Sequence, residues 1–319
     1  MAPAVPRRLC VLHHRHQEWV PALVEAEPRL EVRGWHPREA EQADPGWLRE
    51  AEGLFCWRIP PGFLARMPRL AWIQNSGAGV DHLVGDPAIP DRIPITRADG
   101  RFGLWMARYV LAHLLAQAQL LDACREAQQR RDWNPRLIPE DLWGAKALVL
   151  GFGRIGRPIG RALRAVGMAV TGVVRTRRED PEFPLATLQD LPGLLPDARL
   201  LVLCAPSTGE TRGAVDRDTL AHGNPRLTLV NVGRGDLVDP ADLVAALDGG
   251  TLGQAVLDVF PAEPLPADSP LWTHPKVTLT PHHSGPSTPR ALIPDILDNL
   301  RRFAEGRPIE GTVDRARGY

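Results

Sequence analysis

The chain has 319 residues, enough for two domains of ordinary size. Hydrophobic residues make up 44 % and charged residues 24 %, as in a globular protein with a substantial core, and 38 basic residues balance 38 acidic ones. Because no basic excess exists, neither nucleic acid nor an anionic membrane surface is expected as a partner.

Cysteine use and the length of apolar runs bear on the cellular location. The four cysteines are scattered with no metal-ligand or disulfide-type spacing, so we expect reduced thiols and no metal site. No run is long and apolar enough to span a membrane, and Met1–His16 contains no apolar run of signal-peptide length. These features predict a cytoplasmic protein.

Short strands and helices alternate over the first hundred residues, which favours a parallel sheet with helices on its faces. A single long helix is predicted next, over about 103–127, because leucines recur there at helical spacing. The elements predicted before it are strands Arg8–Leu12, Leu30–Val32, Leu54–Trp57 and Ala71–Gln74 and helix Trp19–Ala26.

The most informative unit is a strand, a glycine-rich turn and a helix. The uncharged run Ala147–Leu150 predicts a buried parallel strand, and Arg157–Val166 predicts a helix. Between them, Gly151 permits a tight turn, Gly153 lets the backbone approach a pyrophosphate, and Gly156 lets the helix pack on the strand. An ordinary glycine-rich turn is the alternative, but this context favours dinucleotide binding.

Further strands and helices alternate to the end of the chain. They are strands Ala169–Val174, Leu200–Cys204, Leu227–Val232, Ala255–Val259 and Val277–Thr280 and helices Leu188–Leu195, Ala241–Asp248 and Pro289–Gly306. We therefore predict an α/β protein with two Rossmann-like or flavodoxin-like doubly wound domains. The dinucleotide-binding domain, 100–285, would be inserted into a substrate domain formed by 1–99 and 286–319.

The residues after the second strand of this unit bear on the choice of cofactor. An acidic residue there would accept the ribose hydroxyls of NAD, but the sequence has Arg175-Thr176-Arg177 and no carboxylate before Glu179. A guanidinium fork suits a 2′-phosphate. We predict that NADP(H) is preferred, with NAD(H) as the alternative; a solvated basic loop that contacts nothing is the other interpretation.

Three later strand ends supply an arginine, a glutamate and a doubled histidine, namely Arg234, Glu263 and His282-His283. The carboxyl ends of parallel strands form the ligand-binding edge of such a sheet. A histidine can protonate a carbonyl oxygen as hydride adds to the carbon, and a neighbouring carboxylate fixes its tautomer. An arginine can bind a substrate carboxylate and polarise the carbonyl. The set suits reduction of a 2-keto acid.

At these motifs the chain resembles the D-isomer-specific 2-hydroxyacid dehydrogenase family. The resemblance rests on residues 76–81, 151–156, 231–235, 258–265 and 281–285, in that order along the chain. The sequences of residues 72–83, 101–106 and 258–272 are similar to those of the glyoxylate/hydroxypyruvate reductase A subgroup. The activity implied is NADPH-dependent reduction of glyoxylate or hydroxypyruvate. The alternatives are another 2-hydroxy acid or phosphonate as substrate, or a non-catalytic NAD(P)-sensing binding protein.

The resemblance also implies residue roles and a homodimer. Arg234 would bind substrate, Glu263 would be the partner of His282, and His282 would be the acid/base. Substrate would also bind to Trp57, Ala78 and Gly79. Arg108 stands where many relatives have glutamate, and the doubled histidine leaves a role for His283 open. The cofactor-binding residues predicted by motif and resemblance are Gly151, Gly153, Arg154, Ile155, Gly156, Arg175, Thr176, Arg177, Ala205, Pro206, Thr211, Val232, Gly233, Asp258, Ser284 and Gly285.

Overall fold

The computed structural model describes residues 8–98 and 101–318, and the chain divides into two compact units. One unit is Met1–Arg101 with Ser287–Tyr319, and the other is Phe102–Pro286. Each contains its own parallel sheet with helices, and the second unit interrupts the first in sequence. The predicted α/β class, with one doubly wound domain inserted into another, is confirmed.

The sheet of the first unit has five parallel strands. They are β1 (Arg8–Leu12), β2 (Glu31–Trp35), β3 (Gly53–Cys56), β4 (Trp72–Asn75) and β5 (Ile95–Thr96). Their order, β2-β1-β3-β4-β5, is that of flavodoxin-like folds. Every residue of β3 and β4 is buried, as expected for strands covered on both faces.

Short helices connect these strands. They are α1 (His16–Ala26), α2 (Pro45–Glu50) and α3 (Asp81–Val84), with 3-10 turns at Pro37–Gln42 and Phe63–Arg66. The start of α2 follows from local sequence, because Asp44 accepts hydrogen bonds from the N–H groups of Gly46 and Trp47 and Pro45 occupies the first helical position.

The second unit has a seven-stranded parallel sheet. Its strands are β6 (Lys146–Leu150), β7 (Ala169–Val174), β8 (Leu185–Thr187), β9 (Ala198–Leu203), β10 (Asn224–Asn231), β11 (Leu252–Leu257) and β12 (Val277–Leu279). The order β12-β11-β10-β9-β6-β7-β8 is the Rossmann order with one added strand. The chain reverses direction across the sheet between β6 and β9, where such folds bind nucleotides.

The helices that follow in the chain are mostly those that the sequence predicts. They are α4 (Phe102–Ala118), α5 (Leu121–Gln129), α6 (Gly156–Ala165), α7 (Leu191–Leu194), α8 (Arg217–Ala221), α9 (Pro240–Gly249) and, in the first unit, α10 (Pro289–Ala304). Further 3-10 turns cover Leu188–Asp190, Leu195–Asp197, Gly235–Leu237 and Pro270–Trp272.

The prediction of one helix over 103–127 is wrong. Leu120 adopts a left-handed conformation with φ +53° and separates α4 from α5. The leucines of the pattern do not share one face, since Leu104 and Leu115 are 55 % and 37 % exposed whereas Leu114 is buried with Met106 and Val110. The pattern therefore mixed exposed and packed positions and gave no sign of the break.

Candidate active site

The turn between β6 and α6 has the form of a phosphate-binding loop. Gly151 has φ +94°, and a Cβ there would lie 2.5 Å from the backbone nitrogen of Ala205, so only glycine fits. A Cβ on Gly153 would meet nothing within 4 Å, which leaves the backbone open to a ligand. α6 begins at Gly156 without a side-chain cap, and its dipole favours an anion there. This turn and the first residue of α6 contain all five predicted pyrophosphate-binding residues, from Gly151 to Gly156.

Arginines follow the end of β7. Arg175 forms an ion pair with Glu210, and Nη2 of Arg177 lies 2.6 Å from a carboxylate oxygen of Asp190. The two arginine side chains are 56 % and 67 % exposed, so these pairs are weak and can be exchanged for a phosphate. Thr176 is exposed between them. The segment suits a 2′-phosphate better than a ribose hydroxyl.

A buried asparagine shapes the loop that carries Arg234. The side-chain amide of Asn231 donates to the carbonyl of Arg234 at 2.8 Å and accepts from the N–H of Gly233 at 3.1 Å. A Cβ on Gly235 would lie 1.9 Å from the carbonyl carbon of Phe260. The backbone of this loop therefore packs directly against the loop that leads to Glu263, and a larger residue at 235 would separate the two.

Glu263 and His282 form a hydrogen-bonded pair. Nδ1 of His282 lies 2.8 Å from Oε2 of Glu263, and the other carboxylate oxygen accepts from the N–H of Phe260 at 3.0 Å. Partial burial tends to raise the pKa of Glu263, but the hydrogen bonds from His282 and Phe260 and the positive charges of His282 and Arg234 hold this pKa below its ordinary value. The carboxylate is therefore ionised at neutral pH and orients the imidazole.

The imidazole of His282 is open on its other side. Its side chain is 41 % exposed, and among residues 8–98 and 101–318 no group bonds to Nε2. Of the two adjacent histidines, His282 is the one paired with Glu263; the ring of His283 lies 5.8 Å from that of Tyr109. With Nδ1 bound to a carboxylate, Nε2 is the nitrogen that can exchange a proton with a ligand.

The turn that carries His282 is held by a buried carboxylate. His282 itself has φ +53°, which is uncommon for a residue with a side chain. Asp258 is fully buried, and its oxygens accept from the N–H groups of His283 and Ser284, each at 2.9 Å, and from the hydroxyl of Thr280 at 2.5 Å. These contacts make Asp258 a support of the turn, while its predicted contact with the cofactor stays a prediction.

The first unit has a turn after β4 that contains the adjacent backbone N–H groups of Ala78 and Gly79. The buried side chain of Asn75 donates to the carbonyls of Gly77 and Gly79 at 2.9 and 2.7 Å. In the described part of the chain no acceptor bonds to the N–H of Ala78 or Gly79. Such adjacent N–H groups form an anion-binding concavity.

Trp57 lies against this same turn. A Cβ on Gly77 would be 2.3 Å from the indole ring of Trp57, and the centroids of the Trp57 and His82 rings are 4.4 Å apart. The predicted substrate-binding residues Trp57, Ala78 and Gly79 are therefore brought together within the first unit. Arg234, Glu263 and His282 are brought together within the second.

Comparison with known proteins decides the family. Residues 111–284 match the NAD-binding domain of the D-isomer specific 2-hydroxyacid dehydrogenases. Glyoxylate/hydroxypyruvate reductase A of Serratia proteamaculans is 32 % identical over 310 residues, which cover 95 % of this chain and 96 % of that protein. The chain belongs to the D-isomer specific 2-hydroxyacid dehydrogenase family.

Solved structures of this family are similar over the whole chain. A D-isomer specific 2-hydroxyacid dehydrogenase from Xanthobacter autotrophicus in complex with NADPH and MES has 35 % identity and a TM-score of 0.89, with full coverage of both chains. An NADPH-dependent glyoxylate/hydroxypyruvate reductase from Sinorhizobium meliloti in complex with NADP and sulfate has 30 % identity and a TM-score of 0.86, covering 98 % of this chain and 99 % of that one.

The remaining predicted cofactor residues of this dehydrogenase lie near the same sheet edge. A Cβ on Gly233 would lie 2.8 Å from the carbonyl oxygen of Ala205, and the hydroxyl of Thr211 donates to the carbonyl of Pro206 at 2.6 Å. The hydroxyl of Ser284 is buried with no partner in the described residues, as expected of a group left for a ligand. Val232 is buried and Gly285 packs on Phe102, so any contact they make with cofactor is through the backbone.

Sequence reasoning missed the side chains that hold the two turns. Asn75 could have been found, since an asparagine at a strand end often bonds to backbone a few residues on. The hydrogen bonds between Tyr109 and Thr280 and between Thr280 and Asp258 join distant segments and leave no local signal. In the described part of the chain we find no cluster of three or more potential metal ligands, and no helix there has the length and hydropathy of a membrane span.

Proposed function

We propose that this protein is an NADPH-dependent reductase that converts small 2-keto acids, glyoxylate or hydroxypyruvate, to 2-hydroxy acids. The observation that carries the proposal is the Glu263–His282 pair, with its open Nε2 and with Arg234 close enough for its charge to lower the pKa of Glu263. Relatives named glyoxylate/hydroxypyruvate reductase A cover almost the whole chain and support this substrate class.

His282 is proposed as the proton donor and Arg234 as the electrophilic group. When bound, the reduced nicotinamide supplies the hydride to the carbonyl carbon. As negative charge develops on the carbonyl oxygen, Nε2 of His282 gives its proton to that oxygen while Nδ1 stays bonded to Glu263. The guanidinium of Arg234 stabilises the same charge. The proton and hydride together convert the keto group to an alcohol, and oxidation reverses both transfers.

Backbone donors of the first unit are proposed to bind the substrate carboxylate. The N–H groups of Ala78 and Gly79 lie in the turn that Asn75 holds and suit a carboxylate without adding a charged side chain. The ring of Trp57, fixed against Gly77, would limit the size of a substrate bound at this turn. This arrangement favours short 2-keto acids.

The decisive experiment is a turnover assay with a matched variant. We expect NADPH absorbance to fall on addition of glyoxylate or hydroxypyruvate, and to fall more slowly with longer 2-keto acids and a 2-keto phosphonate. His282→Gln should lower kcat by about 10²–10⁴-fold while NADPH still binds, because only proton transfer is lost. His222→Gln, at an exposed site outside these loops, is the control.

Two outcomes would contradict the proposal. A fully active His282→Gln variant would remove His282 from the chemistry. Tight NADP(H) binding without turnover of any 2-keto acid would instead favour a nucleotide-sensing binding protein.

Cofactor preference is tested at Arg175, which we propose binds the 2′-phosphate with Thr176 and Arg177. Arg175→Glu should raise KM for NADPH by about 10-fold or more, through the loss of a charge-assisted contact and the added repulsion, with little change in KM for NADH. Arg226→Glu, also exposed but on β10, is the control. Equal use of NADH and NADPH by the unaltered protein would contradict the preference.

We further propose a homodimer in the cytoplasm. The segment from α4 to β6 exposes an unusual set of large apolar side chains, which suits a second copy of the chain. They are Leu104, Leu115, Leu121, Trp133, Ile138 and Trp143. Light scattering should give twice the 35.1 kDa chain mass, and a value for one chain would contradict the dimer.

A further inference from the structure

We infer that Tyr109 is a positioning residue that acts through Thr280 and Asp258 on the turn that carries His282. The inference rests on the proposed role of His282 in proton transfer. Tyr109 lies in the middle of α4, whereas Asp258 follows β11 and Thr280 follows β12. The three side chains are joined by two short hydrogen bonds within the second unit.

Counting hydrogens fixes the direction of these bonds. The hydroxyl oxygen of Thr280 lies 2.5 Å from Oδ1 of Asp258 and 2.7 Å from the hydroxyl oxygen of Tyr109. A carboxylate only accepts, so the single hydroxyl hydrogen of Thr280 points to Asp258. Tyr109 must then be the donor to Thr280. The chain of bonds runs from Tyr109 to Thr280 to the carboxylate, and each bond polarises the next.

The end of this chain is the turn at His282. Asp258 uses its oxygens to hold the N–H groups of His283 and Ser284, and the N–H of His282 donates to the carbonyl of Thr280 at 3.1 Å. A residue with a side chain rarely adopts the left-handed conformation, which persists only where its surroundings impose it. A rotation of Asp258 would break its hydrogen bonds to both N–H groups, and the imidazole of His282 would no longer be held in one direction.

Tyr109 is suited to hold Asp258 in place. Tyr109 is 9 % exposed, and burial raises the pKa of its hydroxyl, so the hydroxyl keeps its hydrogen at neutral pH and can donate it. The rings of His113 and His283 lie 4.5 and 5.8 Å from its ring and restrict its motion. If Tyr109 served only to fill space, its hydroxyl would be unnecessary. Tyr109→Phe removes only the hydroxyl and therefore distinguishes packing from hydrogen bonding.

The experiment compares hydroxyl-deleting variants with shape-preserving ones. Tyr109→Phe and Thr280→Val each remove one bond of the chain, and Thr280→Ser restores the hydroxyl of the second. Leu114→Val perturbs packing on the buried face of the same helix without touching the chain of bonds. For each variant we would measure kcat, KM for NADPH and glyoxylate, and the melting temperature.

We expect Tyr109→Phe and Thr280→Val to lower kcat by about 10-fold, because a misplaced imidazole transfers its proton poorly. KM for NADPH should change less than kcat, since the phosphate-binding turn at Gly151–Gly156 is unchanged. Thr280→Ser should regain most of kcat, and Leu114→Val should lower only the melting temperature. Unaltered kcat in both hydroxyl-deleting variants would overturn the inference, as would an equal loss in Leu114→Val.

A second readout does not depend on turnover. Histidine labelled with ¹⁵N gives ring-nitrogen signals, and those of His282 are identified by their absence in His282→Gln. We expect them to move in Tyr109→Phe and Thr280→Val but not in Leu114→Val. If they do not move, the positioning role is wrong even in an active enzyme. If they move while the unaltered protein turns over no 2-keto acid, the proposed function fails and the positioning role stands.

Discussion

Two turns, one in each unit, are each held by a fully buried polar side chain of nearly the same shape. Asn75 holds the turn after β4 by donating to two carbonyls, those of Gly77 and Gly79. Asp258 holds the turn after β12 by accepting from two N–H groups, those of His283 and Ser284. The two supports differ chiefly in one atom, an amide nitrogen in place of a carboxylate oxygen.

That difference decides which backbone groups remain for a ligand. An amide that donates to carbonyls does not occupy the N–H groups of the turn, which can then receive an anion. A carboxylate that binds N–H groups leaves no such donors, and the turn presents a side chain instead, the imidazole of His282. Replacing Asn75 by Asp or Asp258 by Asn exchanges a donor for an acceptor or the reverse. We expect each replacement to change a different kinetic parameter.

The largest effect is expected from Asp258→Asn. The amide nitrogen would face a backbone N–H or the hydroxyl of Thr280, so at least one buried donor would lose its acceptor. We expect kcat to fall by about 100-fold through misplacement of His282, with a lower melting temperature. Asp268→Asn, at an exposed site, is the control. A kcat close to that of the unaltered enzyme would show that the turn does not need the carboxylate.

Asn75→Asp should have a smaller effect and a different signature. A carboxylate cannot donate to the carbonyls of Gly77 and Gly79, and its charge would repel a substrate carboxylate. We expect KM for glyoxylate to rise by about 10-fold, the cost of about one charge-assisted contact, with less change in kcat. Asn75→Ala removes the amide without adding charge and should raise KM less. If both variants reduce kcat and leave KM unchanged, this turn does not bind substrate.

The smallest effect concerns stability and a second pair of contrasting groups, His13 and His282. His282 is partly exposed beside a carboxylate, but His13 is 3 % exposed and its Nδ1 accepts from the N–H of Arg15 at 3.0 Å. Burial, and then the charges of His14 and Arg15, lower the pKa of His13 from 6.5 to about 3. As the pH falls below 6.5, His13 therefore takes up a proton in the unfolded chain but stays neutral in the folded protein.

Stability should accordingly decrease between pH 7 and pH 5.5, by about 1 kcal/mol from this group. His13→Asn keeps an acceptor for the N–H of Arg15 but cannot titrate. Chemical unfolding at both pH values should give a smaller decrease for this variant than for the unaltered protein. Equal decreases would mean that His13 binds a proton as readily in the folded protein as in the unfolded chain.

Local sequence determined most of the fold and the identity of the groups at the site. Uncharged strands, the Gly151–Gly156 turn and the arginines after β7 are signals within one βαβ unit, because each depends on neighbours in sequence. The family resemblance implied roles for Arg234, Glu263 and His282, and the chemistry of these residue types at successive strand ends agrees with those roles. The break at Leu120 could not, since neither glycine nor proline marks it.

Tertiary structure alone decided what keeps His282 against Glu263. The family resemblance favoured His282 over His283, but the physical reason for that choice is the turn that Asp258 and Thr280 impose. Tyr109 enters from a helix about 170 residues earlier in the chain. Hydrogen bonds between such distant segments depend on the packing of the whole sheet, so no pattern of neighbouring residues can specify them.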